Sequence, residues 1–291
     1  MANSTLIQKI NAYEQLMRLD KPIGILLLLW PTLWALWIAG DGRPDWIVVL
    51  IFVTGTVLMR SAGCVLNDIA DRKYDGRVER TQHRPLATGA VTVKEAYVLA
   101  LMLCLLAFVA VSFLNAKTIY WSFAALFLAA SYPYTKRFLV IPQAYLGIAF
   151  GFGIPMAFAA LHNQVPVVAW YLLSANIFWA IAYDTEYAMV DRDDDLKIGI
   201  HSSAIFFGKH DVLAVMVCYA LMLAILSYVG WLLGYGYCYY AGVLAALVLV
   251  CWQFTRIKKR LRADCFQAFL ENNWIGLVLY LGILAQYLSN T

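Results

Sequence analysis

Nine apolar stretches recur along this chain, at 23–40, 46–66, 95–114, 118–134, 139–160, 166–183, 211–232, 236–254 and 273–289. Each is close to the roughly 20 residues that a helix, rising about 1.5 Å per residue, needs to cross the hydrocarbon core of a bilayer. Composition leaves no aqueous alternative. Of the 291 residues, 63% are hydrophobic and 14% charged, against about 25% charged in a soluble domain, and the mean hydropathy is +0.69. An open sheet in lipid would leave backbone groups without hydrogen-bond partners. The expected fold is therefore all-α, a single polytopic membrane domain over 1–291 with about nine transmembrane helices. The stretch at 118–134 is short, and the one at 139–160 carries Gly147, Gly151, Gly153 and Pro155, which predict a kink or a close approach of backbones. Lys9, Glu14, Arg18 and Asp20 make the first twenty residues too polar for a secretory core, so no cleaved signal is expected. Cys64, Cys104, Cys218, Cys238, Cys251 and Cys265 form no C-x-x-C pair and read as small apolar fillers. Trp30, Trp34, Trp37 and Trp46 read as interfacial belt residues.

Basic residues set the orientation, because cytoplasmic loops carry the excess of Lys and Arg. With the N-terminus inside, the cytoplasmic segments hold Lys9, Arg18 and Lys21, then six residues from Arg72 to Lys94, then Lys136 and Arg137, then Arg192, Lys197 and Lys209, and finally the run from Arg256 to Arg262. The opposite side holds Arg43 and Lys117. The expected partner on all sides is the lipid bilayer, and no nucleic-acid partner is expected.

Two cytoplasmic connections, at about 67–94 and 184–210, are long and hold most of the acidic residues. Long ordered connections are disproportionately functional. The first begins Asn67-Asp68-Ile69-Ala70-Asp71-Arg72-Lys73-Tyr74-Asp75. Steps of three and four place Asp68, Asp71 and Asp75 on one face of a continuing helix, where like charges repel unless a cation lies among them. In the second, Asp184, Asp191 and Asp195 share a face by steps of seven and four. Asp71-Arg72-Lys73-Tyr74-Asp75-Gly76-Arg77 aligns with Asp191-Arg192-Asp193-Asp194-Asp195-Leu196-Lys197 at a constant offset of about 120 residues. Each motif follows an even-numbered span, so both emerge on one side. Two parallel repeats facing two carboxylate clusters across one cavity are the expected arrangement. Acidic residues that merely balanced neighbouring bases in a solvated loop would carry neither the spacing nor the duplication.

Hard oxygen ligands suit Mg²⁺, which prefers one or two carboxylates plus substrate phosphate oxygens. Lys21, Arg72, Arg80, Arg84, Lys136 and Arg137 lie at the same face and could complete an anion site, Arg80 and Arg84 foremost because Arg-x-x-x-Arg-Pro directly follows the acidic helix. The hydrocarbon tail of such a substrate can lie among the spans. Arg60 is the one charge well inside a span, and is expected either to contact substrate or, as the favoured reading, to pair with an acidic residue. A cation-coupled transporter is the rival reading, but transporters place such groups near the bilayer midplane, not at one face.

Asn67-Asp68-x-x-Asp71-x-x-x-Asp75 together with Asp191-x-x-x-Asp195 resembles the paired aspartate motifs of the UbiA superfamily of intramembrane prenyltransferases. The likeness covers nearly the whole chain. Arg18-Leu19-Asp20-Lys21-Pro22-Ile23-Gly24, Trp30-Pro31-Thr32-Leu33-Trp34, Arg80-Thr81-x-x-Arg84-Pro85-Leu86 and Tyr183-Asp184-Thr185-x-Tyr187-Ala188-Met189-x-Asp191 are similar to the branch that prenylates 4-hydroxybenzoate. The resemblance implies helices around a central cavity under a cytoplasmic cap, an inner-membrane location and a need for Mg²⁺. It implies a polyprenyl diphosphate donor and 4-hydroxybenzoate as acceptor, alkylated beside its hydroxyl in ubiquinone biosynthesis, with other acceptors of the superfamily as the alternative. Asn67, Asp68, Asp71, Asp75, Asp191 and Asp195 carry over as metal and diphosphate ligands. Asp71, Asp75, Asp191 and Asp195 are then the catalytic carboxylates, and Arg137, beside Tyr132-Pro133-Tyr134, is the expected partner of the acceptor's carboxylate. The base that removes the ring proton stays open, with Asp191 and Glu186 nearby in sequence. Cysteines introduced into 67–94 and 184–210 should react only with impermeant thiol reagents applied from the cytoplasmic side; labelling of either segment from the opposite face would contradict a shared cavity.

Overall fold

The computed structural model describes residues 2–77, 80–199 and 201–289, and these form helices and no strand. In chain order the helices are α1 (Ala2–Met17), α2 (Ile23–Ala39), α3 (Trp46–Asp71), α4 (Val93–Val111), α5 (Ala116–Thr135), α6 (Pro142–Gly151), α7 (Gly153–His162), α8 (Val167–Ile198), α9 (Ser203–Phe207), α10 (Asp211–Leu232), α11 (Tyr237–Ile257) and α12 (Arg262–Leu288). Every apolar stretch coincides with a helix. Among the described residues, seven segments are long and apolar enough to cross a membrane: Trp46–Asp71, Val93–Val111, Pro142–His162, Val167–Lys197, Ser203–Leu232, Tyr237–Ile257 and Arg262–Leu288. Ile23–Ala39 is apolar but shorter, and α5, with 20 residues, covers the stretch expected to be short. The chain is a multi-pass membrane protein.

Local chemistry starts the helices where the sequence changes character. Asp45 caps α3 by accepting from the Ile47 N–H at 2.8 Å, and Thr92 with Glu95 forms a reciprocal capping box on α4. The expected break in the fifth span falls at Phe152, between α6 and α7. Glycines there bring helices together: a Cβ built on Gly147 would lie 2.8 Å from the Ile177 Cα, and one on Gly153 2.5 Å from the Thr32 Oγ1. Small residues replace side-chain bulk at such crossings because lipid offers no hydrophobic drive toward association. The same device joins α11 to α12, where a Cβ on Gly242 would stand 2.7 Å from the Gly282 Cα.

α8 runs through the middle of the bundle and packs on α6, α10 and α12. Its 32 residues carry the second acidic motif as continuous helix, not as the expected loop. Likewise α3 extends to Asp71, and only Asp75 lies beyond it, in a short 3₁₀ turn. Both motifs therefore stand on the last turns of long spans, which hold them more rigidly than a loop would. The belt reading fails for Trp34. It is fully buried, stacks on Trp179 with centroids 5.3 Å apart, and donates from Nε1 to the Gly276 carbonyl at 3.1 Å. A partner for its N–H inside the bundle removes the reason to seek the interface. Trp46, 75% exposed, does fit a belt position.

Outside the bundle, α1 lies against α3 through Ala12 and Leu16, which meet Val65 and Ile69, and Lys9 pairs with Glu95 of α4 at 2.8 Å. This docking brings the α1–α2 turn over the end of α3. Gly242→Ala should lower the thermal stability of the detergent-solubilised protein by about 1–3 kcal/mol, since both nearest obstacles are backbone atoms that cannot rotate away. Gly55→Ala, where a Cβ meets nothing within 4 Å, should leave the melting temperature unchanged or raise it.

Candidate active site

The first acidic motif is saturated with cations supplied by distant segments. Asp68, buried at the end of α3, accepts from Arg18 Nη2 at 3.0 Å through both oxygens and from Arg84 Nη1 at 2.9 Å. Arg84 Nη1 also donates to both oxygens of Asp75, at 3.0 and 3.1 Å. Asp71 accepts from Asn67 Nδ2 at 3.1 Å and from Lys136 Nζ at 3.3 Å. In the second motif Asp191 takes three hydrogen bonds from Arg80, the shortest 2.6 Å from Nη2, while the Arg80 guanidinium lies over the Tyr187 ring at 4.7 Å. Asp195, half-buried one turn further on, joins no ion pair among the described residues. Burial pushes the Asp75 carboxyl up and the Arg84 charge opposes it. Burial alone would lower Arg84, but the facing Asp68 and Asp75 carboxylates outweigh it and hold this cation more firmly than in water.

These groups surround two connected spaces. The smaller, about 120 Å³, is polar and is bordered by Asn67, Asp71, Asp75, Asp184, Asp191 and Asp195. The larger, about 1140 Å³, extends into the bundle to Phe108 of α4 and Phe123 of α5, both of which also face outward. Asn67, Arg80, Arg84, Lys136, Asp184 and Tyr187 border both. The two motifs, about 120 residues apart in sequence, thus meet at one polar space, and Arg80, which follows the first motif, pairs with Asp191 of the second.

Of the other expected residues, Lys21 borders the larger cavity, whereas Arg72 is exposed, donates to the Ile69 carbonyl at 3.0 Å and borders neither space. Arg137 is exposed as well. It donates to the Ala70 carbonyl at 2.9 Å, sits between the Tyr74 and Tyr134 rings and lines neither space. Arg60 does not pair with a carboxylate as expected. Its guanidinium lies over the Phe150 ring at 5.6 Å, its Nε is buried without a hydrogen-bond partner, and it borders the larger cavity. It occupies the space left by Gly24, where a Cβ would come within 2.5 Å of Nε. Sequence reasoning missed Arg18 as a partner of Asp68; its place in the entry segment beside Lys21 was the available signal. It also passed over Tyr132 and Tyr187, which border both spaces.

The donor set suits a hard divalent cation. The acidic motifs offer only oxygen ligands, yet no three acidic, His or Cys side chains among the described residues close into a ready-made cage. Mg²⁺ is bound in just this way, by one or two carboxylates completed by water and by substrate phosphates.

The profile of the UbiA prenyltransferase family matches residues 28–277. A 4-hydroxybenzoate octaprenyltransferase from Methylobacillus flagellatus is 62% identical over 285 residues, covering 98% of this chain and 96% of that protein. Another from Dechloromonas aromatica is 62% identical over 284 residues, covering 97% and 96%. The fold resembles the apo structure of a UbiA homolog from Aeropyrum pernix K1, with a TM-score of 0.78 at 22% identity over 89% of this chain and 97% of that one. It also resembles a UbiA homolog from Archaeoglobus fulgidus bound to GPP and Mg²⁺, with a TM-score of 0.73 at 18% identity over 96% and 99%. With the profile covering most of its length and near-full-length relatives at this identity, the chain belongs to the UbiA prenyltransferase family.

Proposed function

We propose that the chain transfers a polyprenyl group, octaprenyl by the naming of its relatives, from its diphosphate to the ring carbon ortho to the hydroxyl of 4-hydroxybenzoate, a step of ubiquinone biosynthesis. The observation that carries this reading is the junction of the two cavities. A polar space lined by carboxylates and cations adjoins a larger, mostly apolar one, and a lipid diphosphate has that same division into a charged head and an apolar tail. Octaprenyl exceeds the roughly 30 Å hydrocarbon thickness if extended, and the outward-facing Phe108 and Phe123 mark where a long tail meets lipid. We further infer a bacterial inner-membrane protein with a cytoplasmic N-terminus, two internal repeats and the site at the cytoplasmic face, in keeping with the distribution of Lys and Arg.

Asn67, Asp68, Asp71, Asp75, Asp191 and Asp195 are the residues that would hold Mg²⁺ and, through it, the diphosphate. Bound there, Mg²⁺ would supply stabilisation of the negative charge that grows on the leaving diphosphate. The cations Arg18, Arg80, Arg84 and Lys136 pair with these carboxylates here; with a divalent ion on the carboxylates, the cations would be available to phosphate oxygens. Lys21 adds charge at the cavity edge. Aromatic faces along the wall, Tyr187 among them, can steady the allylic cation.

Arg60, not Arg137, is the cation we assign to the acceptor's carboxylate. A guanidinium inside a span with a bare Nε and no anionic partner is costly, and a planar carboxylate matches its fork. Arg137 instead holds the end of α3 through the Ala70 carbonyl.

Purified protein given octaprenyl diphosphate and 4-hydroxybenzoate should form the 3-prenylated product, detected by mass, only when Mg²⁺ is present; no product, or equal product in a chelator, would overturn the reading. Asp71→Asn and Asp191→Asn should each abolish turnover while still inserting in the membrane, and near-normal kcat in either would remove the metal assignment. Arg60→Ala should raise KM for 4-hydroxybenzoate about 10- to 100-fold, from the roughly 1.5–3 kcal/mol of a charged hydrogen bond, and leave KM for the donor nearly unchanged. Arg137→Ala should alter neither KM by more than about twofold, an expectation that follows from the same loss-of-contact reasoning.

A further inference from the structure

We propose that Asp184 is the base that takes the proton from the prenylated ring carbon. The inference rests on the transfer reaction above and supplies the one chemical role which that reaction leaves without a residue.

Four acidic side chains among the described residues border the larger cavity, where the aromatic acceptor must lie: Asp20, Asp68, Asp184 and Glu271. Asp68 is engaged by Arg18 and Arg84. Glu271 is held by Arg256 at 2.7 Å and by Gln267. Asp20 lies exposed on the turn between α1 and α2. Asp184, half-buried on α8, joins no ion pair among the described residues, and the Gln143 amide stands within reach of its carboxyl. The two carboxylates that sequence proximity suggested are placed elsewhere. Asp191 is fixed by three bonds from Arg80 and borders only the polar space. Glu186 is fully buried, accepts from Tyr219 at 3.0 Å and Asn272 at 2.9 Å, and borders neither space.

Asp184 also stands where the two substrates meet. It borders both cavities, follows Tyr183, whose hydroxyl is buried without a partner, and lies within electrostatic reach of Arg60 and Lys136. An acceptor anchored by Arg60 and facing the diphosphate carries its reacting edge toward this junction. There the ortho carbon of the ring uses a π pair to bond to C1 of the prenyl group, while the C1–O bond breaks and its electron pair leaves with the diphosphate. The proton on that ring carbon then passes to a carboxylate oxygen of Asp184, and the C–H pair restores the aromatic ring. Since Asp184 faces the polar space as well, the proton can depart with the diphosphate.

The test is Asp184→Asn in the full-length protein, assayed with 4-hydroxybenzoate carrying hydrogen or deuterium at both ring positions ortho to the hydroxyl. A positioned base contributes about 10²- to 10⁴-fold, so kcat should fall by at least about 10²-fold. The donor KM and the Mg²⁺ concentration for half-activity should stay within about twofold. An isotope effect on ring deuteration, larger than in the wild type, should appear as proton removal becomes limiting. Asp184→Ala should regain activity with added formate, which can occupy the space of the lost carboxylate. A kcat close to wild type, a loss matched by a raised Mg²⁺ requirement, a loss without the isotope effect, or no rescue by formate would each overturn the assignment. Absence of product from the wild-type protein in the same assay would instead remove the underlying function.

Discussion

Carboxylates crowded onto the ends of two membrane-crossing helices persist only if each is matched by positive charge, and most of this structure can be understood from that requirement. Asp68, Asp71, Asp75 and Asp191 are partly or wholly withdrawn from water, where an unpaired charge is expensive. The compensating residues come from the α1–α2 turn (Arg18), the segment after α3 (Arg80, Arg84) and the end of α5 (Lys136). The pairs therefore fasten the α1–α2 turn, the segment after α3 and the end of α5 to the ends of α3 and α8. They also offset much of the negative charge that the acidic motifs bring to the site.

Below that cap, packing has to leave a space empty while closing the remainder. Glycines let α6 and α7 approach α8 and α2, and let α11 meet α12 backbone to backbone. Trp34 against Trp179 fills the centre on one side. The large cavity is what remains between α2 to α8 and α12. Arg60 sits in its wall because Gly24 makes room for it, so a single small residue in the entry segment determines whether a cation can reach that part of the cavity. Glu186, Tyr219, Asn272 and Trp179 form a closed hydrogen-bonded set behind that wall. Its members satisfy one another, which is consistent with a role in joining α8, α10 and α12.

The helices and the motifs were legible in the sequence because both are local patterns: apolar length specifies a span, and steps of three, four and seven align carboxylates on one face. Family membership followed from the same motifs. What the sequence could not carry were contacts between distant segments. Trp34 looks interfacial until Gly276, about 240 residues away, supplies an acceptor for its N–H. Arg137 and Arg60 are both arginines near the proposed site, and only the packing of α3 against α2 and α5 turns one toward the cavity and the other toward a backbone carbonyl. Arg18 carried a visible charge and an invisible partner, Asp68, on the neighbouring helix. The choice among Asp184, Glu186 and Asp191 depended on which face of α8 meets the cavity, a matter of helix rotation that a list of acidic residues does not contain.

We propose that the carboxylates and cations around the polar space exchange partners together, so that divalent ion and diphosphate bind as one unit. Calorimetric titration of the wild-type protein with an unreactive prenyl thiodiphosphate, with and without Mg²⁺, tests it most directly. Mg²⁺ should tighten donor binding by at least about 100-fold, close to the upper end of the usual coupling between two ligands, and the donor should tighten Mg²⁺ binding equally. Equal affinity for the donor with and without Mg²⁺ would contradict it.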